Sequence, residues 1–129
     1  MPYEYTIDVE RRLIITRWWG DLIDQDMFDH RRELGSDPRF NPEFSVLLDM
    51  SEATSDTGLT VEALKEIAQR PFYGRIRRAV IAPRKTLAGF ARLFDNYREM
   101  AGGKEQSHVF ADRQSAMRWL LESDAELWS

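Results

Sequence analysis

Two groups of residues in this chain have types and spacings that could carry chemistry. The first is the hydroxyl cluster in "SEATSDTGLT", where Ser51, Thr54, Ser55, Thr57 and Thr60 surround Asp56 and Gly58. Hydroxyls ahead of a helix can carry a phosphate, which the helix dipole and its free N–H groups would stabilise. The same residues equally satisfy the hydrogen bonds of turns and caps. The second group is basic. No acidic residue occurs between Glu66 and Asp95, where Arg70, Arg75, Arg77, Arg78, Arg84, Lys85 and Arg92 all fall. Arg84, Ala88 and Arg92 follow i, i+4, i+8 spacing, so two guanidinium groups share one helix face with a small residue between them. With Arg78 and with Asp49, at the carboxyl end of an apolar strand where open α/β sheets hold ligands, they could receive a phosphate, carboxylate or lipid headgroup. Surface pairing of the arginines with Asp95 or Glu99, and capping of loop N–H groups by Asp49, are the alternatives.

Other chemistries are poorly supplied. There is no cysteine, which excludes thiolate nucleophiles, disulfides and cysteine metal sites. The two histidines, His30 and His108, lie in a helix and a strand far apart, with neither metal-pair nor triad spacing. Nothing Gly-rich resembles a phosphate loop. The expectation is no catalytic residue, no metal and no cofactor. Net charge is −4 and the aromatic residues fall on apolar faces, which argues against nucleic-acid binding. Adjacent Trp18 and Trp19 point to opposite faces of a strand; an exposed indole with Phe40, Phe44 or Trp128 could build a dimer or ligand surface, whereas core packing is the commoner fate.

The elements that must position these groups are legible from periodicity. "YEYTIDVERRLIITRWWG" alternates through Tyr5, Ile7 and Val9 and then Leu13 and Ile15, an antiparallel hairpin that Gly20 should end. Ile23, Met27, His30/Arg31 and Leu34 follow at helical spacing, with Asp24 as the cap and Gly35 as the stop. "FSVLLDM" and "RRAVIA" are short apolar runs of central-strand type. Thr60 should cap a helix carrying Val61, Leu64, Ile67 and Ala68, and Pro71 ends it. "KTLAGFARLFDNYREM" sets Leu87, Phe90/Ala91, Phe94 and Tyr97 on one face. "QSHVFA" is a last strand, and Asp112 caps a helix with Ala116, Trp119/Leu120 and Leu121 inward. The order is β-β-α-β-α-β-α-β-α, an α/β fold with an N-terminal antiparallel hairpin and then mainly parallel strands joined by crossover helices.

The 129 residues, 43% hydrophobic and 31% charged, suit one domain spanning 1–129. No apolar run has the length of a membrane span, and the N-terminus has no signal-peptide pattern, so a cytoplasmic location is expected.

With that order, "LLDMSEAT" followed by Asp56-Thr57-Gly58-Leu59 and a capped helix resembles the centre of STAS domains, the anti-sigma-factor-antagonist fold. Their strand runs into an Asp-Ser-[Ser/Thr]-Gly-Leu loop whose second hydroxyl residue is a phosphorylated switch. Thr57 stands opposite that position in a loop one residue shorter. Across nearly the whole chain, "YTIDVERRLIITRWWGDL", "DPRFNPEFSVLLDMSEAT", "RRAVIAP", "GFARLFDNYRE" and "HVFADRQSAMRWL" resemble bacterial SpoIIAA-like proteins of the STAS/CRAL-TRIO superfamily. The resemblance implies a single SpoIIAA-like sandwich, often self-associating, and does not imply a catalytic centre. Two functions are therefore expected. One is a non-enzymatic interaction or regulatory module that meets a protein partner, or itself as a homodimer, around Asp56, Thr57 and Gly58. The other is a carrier for a small anionic or lipid-like ligand, with an apolar pocket and a basic mouth at Asp49, Arg78, Arg84 and Arg92.

Overall fold

The computed structural model describes residues 2–122. Trp128, named above as a surface candidate, lies outside them. The hairpin pairs β1 (Tyr3–Asp8) antiparallel with β2 (Leu13–Ile23), in register Tyr3 with Trp18 and Ile7 with Ile14. Gly20 does not end β2. Its φ of +70° opens a bulge, and the strand continues to Ile23. A glycine tolerates that left-handed conformation at little steric cost, so it redirects the strand where a stop is expected.

That extension changes the next element. β3 (Ser45–Gly58) is far longer than its apolar run, because the outer part of β2 supplies backbone partners as far as Ile23 opposite Gly58. Asp56, Thr57 and Gly58, expected in a loop, are thus strand residues. Ladder hydrogen bonding overrode the turn chemistry of their side chains. Only Val46–Asp49 of β3 pair with β4 (Arg77–Ile81), which pairs in turn with β5 (Gln106–Phe110). The sheet order is β1-β2-β3-β4-β5, parallel from β2 onward.

The helices are α1 (Asp24–Ser36), α2 (Val61–Ala68), α3 (Lys85–Met100) and α4 (Arg113–Glu122). The sheet grows in one direction from β2 to β5, so crossovers of uniform hand place α1, α2 and α3 on one face. The buried clusters agree: Leu34 of α1 packs with Ile14 and Val46, and Leu87 and Ala88 of α3 pack with Trp18 and Val80. The opposite face receives α4 alone, whose Ala116 and Leu120 bury against Leu13, Leu47, Ala79 and Ile81. Leu121, expected inward, is exposed.

Capping departs from expectation at one helix. Asp26, one turn in, accepts the Ile23 N–H at 2.9 Å. Asp24 reaches across to α2, taking the Thr60 N–H and hydroxyl at 2.7 Å each, while Thr60 caps α2 by accepting from the Ala63 N–H at 3.2 Å. One carboxylate thereby joins the starts of two helices. The Asp112 cap forms as expected, accepting from Ser115 N–H at 2.8 Å. Among the described residues no helix is long and apolar enough to cross a membrane.

Candidate functional site

The three-helix face holds a half-open cavity of about 140 Å³. Its floor is the sheet, through Trp18, Leu48, Met50, Arg78 and Val80; α1 contributes Met27, His30 and Arg31, α2 Leu64 and Ile67, and α3 Leu87, Phe90, Ala91 and Phe94. The space follows from the sequence of α3. Leu87 and Ala88 seat α3 on the sheet, and one turn further on the small Ala91 lines the space with the half-buried Phe90 and Phe94.

The cavity is apolar toward Val80, Met50 and Leu87 and polar toward Arg78, which lies two residues earlier on the same face of β4. Arg78 is almost wholly buried and donates to Asp95 at 3.1 Å and Glu105 at 3.3 Å. Glu105, equally buried, also takes two hydrogen bonds of 2.9 Å from Arg98. Burial works to raise the Glu105 pKa, yet the hydrogen bonds from Arg98 and the charges of Arg78 and Arg98 outweigh it and hold the carboxyl low. Arg98 also donates to the Ala68 carbonyl at 2.7 Å, tying α3 to the end of α2.

Arg31 is differently placed. It donates to the carbonyl of Ile67 at 2.9 Å and more weakly to that of Arg70 at 3.4 Å, with its guanidinium 4.6 Å from the centre of the Phe72 ring. Among the described residues no carboxylate is at ion-pair distance from it. Burial draws its pKa down to about 10, with the nearby Arg78 and Arg98 adding to the effect. Next to it, His30 is buried, shares a 2.9 Å hydrogen bond with Thr16, and meets Tyr3 and Trp18 edge-on. Burial, with the Arg31 charge beside it, lowers the His30 pKa to about 4, so the ring is neutral at ordinary pH.

The expected anion site at the carboxyl end of β4 does not assemble. Arg78 is interior, at the other end of β4. Arg84 turns toward the carbonyls of Ala53 and Thr54. Arg92 stands exposed on α3. Asp49 lies on the α4 face, accepting from the Ser51 N–H at 3.0 Å and hydroxyl at 2.6 Å and facing Arg113 at 3.4 Å. The alternation of strand side chains separates Asp49 from Arg78, since the two sit on opposite faces of the sheet. Thr57 is exposed and shares a 3.0 Å hydrogen bond with Ser55; Gly58 sits so close to β2 that a Cβ would come 2.8 Å from the Leu22 carbonyl oxygen. Trp18 is buried and Trp19 half-buried, with the Arg17 guanidinium 4.9 Å from its ring. Phe44 is buried and Phe40 stacks on Phe72, so neither builds an exposed aromatic surface with Trp19.

Sequence reasoning missed Arg31, His30 and Tyr73 as cavity residues. The signal available was the inward position of His30/Arg31 in the helical stripe, where a charged side chain on an otherwise apolar face is informative.

No family model and no curated protein matches the sequence. Among solved structures, the chain is similar to an uncharacterized protein of the DUF3478 family from Shewanella loihica PV-4, which has a SpoIIAA-like fold. Identity is 17%, with 92% of this chain and 93% of that one covered and a TM-score of 0.58. The likeness establishes a SpoIIAA-like fold.

Proposed function

We propose that this protein is a non-enzymatic, cytoplasmic SpoIIAA-like module that binds a small, largely apolar molecule beneath α1, α2 and α3. The observation that carries this reading is the cavity itself: about 140 Å³, walled by Trp, Phe, Leu, Ile and Met, with its polar groups gathered at one end. An apolar cavity of roughly 150 Å³ accommodates a benzene ring. Binding pockets characteristically combine such walls with a few polar groups that orient the ligand. Titration of the protein with benzene, followed by amide NMR, should move resonances of Leu64, Leu87, Ala91 and Phe94. Unmoved resonances at millimolar benzene would exclude the cavity as a binding site.

A second reading, a partner-binding surface, is favoured by the far half of β3. Beyond Asp49 that strand pairs with β2 only, and past Ala53 and Thr54, to whose carbonyls Arg84 donates, its other edge has no strand neighbour among the described residues. Thr57 is exposed along this stretch, and Ile23 and Val61 are exposed large apolar residues beside it. An open edge of this kind suits pairing with a partner strand or a second copy of the chain. Thr57→Glu should then weaken self-association in sedimentation or capture of a protein partner while leaving circular dichroism unchanged. Unaltered association removes the switch role of Thr57.

A further inference from the structure

We infer that the occupant of the cavity is a compact aromatic monocarboxylate whose ring fills the apolar end and whose carboxylate meets Arg31. The inference rests on the ligand-binding reading above and names the ligand class.

Charge supports the anion. At the polar end Arg31 and Arg78 line the cavity with Asp95, and beyond its wall Arg78 and Arg98 share Glu105, so three guanidinium groups oppose two carboxylates. Arg78 and Arg98 are matched by those two acids, and Arg31 is left with carbonyl partners alone. A partly buried guanidinium without a counter-charge is costly, and a ligand carboxylate would offset that cost through charge-assisted hydrogen bonds. His30 is neutral and its ring faces Thr16 and the aromatic side chains, so it adds no second charge. A single excess positive charge fits a monoanion. A phosphate dianion would want further cations, and Lys104 lines the adjoining polar pocket, on the far side of Arg78 and Asp95, with Glu99 and Ser107.

Size and lining support the ring. About 140 Å³ is room for one six-membered ring. Trp18, Phe72, Phe90 and Phe94 present ring faces and edges, and Met27 and Met50 supply adaptable, polarisable contacts.

Benzoate, benzyl alcohol and hexadecanoate can be compared by NMR titration and calorimetry on the full chain. Benzoate should bind about tenfold or more tightly than benzyl alcohol, as expected when a neutral hydrogen bond is replaced by a charge-assisted one. Arg31→Gln should erase that preference while benzyl alcohol still binds, and Arg31→Lys should retain most of it. Equal binding of benzoate and benzyl alcohol by the wild-type chain would overturn the carboxylate, leaving the cavity reading intact. Tighter binding of hexadecanoate than of benzoate would overturn the compact ring in favour of an acyl chain. Failure of all three ligands, and of benzene, would overturn the ligand-binding reading itself. The wild-type comparison decides the matter even if Arg31→Gln fails to fold.

Discussion

Folding buries His30 among Tyr3, Tyr5 and Trp18 and beside Arg31, and this single ring should give the protein an acid-sensitive stability. The unfolded chain takes up a proton at His30 near pH 6.5, whereas the folded chain resists until about pH 4. Between those values the unfolded state holds more protons, so stability falls as pH falls through the window; by pH 5 the loss is about 2 kcal/mol. Glu105 and Asp37, both held low by neighbouring arginines, add losses in the same direction, at lower pH because their pKa values lie below the ordinary carboxylate range. The His30→Gln variant should therefore show a smaller drop in urea midpoint between pH 7 and pH 5 than the wild-type chain. An identical drop in both proteins would assign the acid sensitivity elsewhere.

At the scale of elements, β3 is where local chemistry and tertiary pairing disagree. Ser, Asp, Thr and Gly in succession spell a turn, yet they form strand because β2 runs beside them past Gly20. Gly58 shows the consequence. In a loop it would serve conformational freedom; here it serves close approach, with Ile23 Cγ2 at 2.6 Å and the Leu22 carbonyl oxygen at 2.8 Å from where a Cβ would stand. The Ile23 side chain can turn away, but the backbone oxygen cannot move without shifting the strand. Gly58→Ala should cost about 1–3 kcal/mol, the range for forced overpacking, read as a lower urea midpoint at unchanged m-value. A neutral outcome would mean that the two strands part easily, and the extension would then be a flexible arm.

For the whole molecule, the cavity trades stability for room. The helices on its face meet the sheet through Leu34, Leu87 and Ala88, and Ala91 is the small residue facing the space. Filling that space should stabilise the fold and abolish binding together: Ala91→Leu is expected to raise unfolding free energy by about 1 kcal/mol, a usual gain for cavity filling, and to eliminate the benzene response. A variant that is more stable and still binds benzene would place the ligand elsewhere.

The sequence by itself determined the order and type of the elements, the hairpin, the central strands and two of the helix caps, because hydrophobic periodicity and capping act between residues close together in the chain. Only the tertiary structure decided where β3 ends, which face each helix covers, and which charges meet. Arg31 and Arg78 come together through strand register and crossover geometry, while Asp49 and Arg78, both near the centre of the sheet, are separated by the pleat. Strand alternation sends neighbouring side chains to opposite faces, and only the pairing of distant segments says which ones share a cavity.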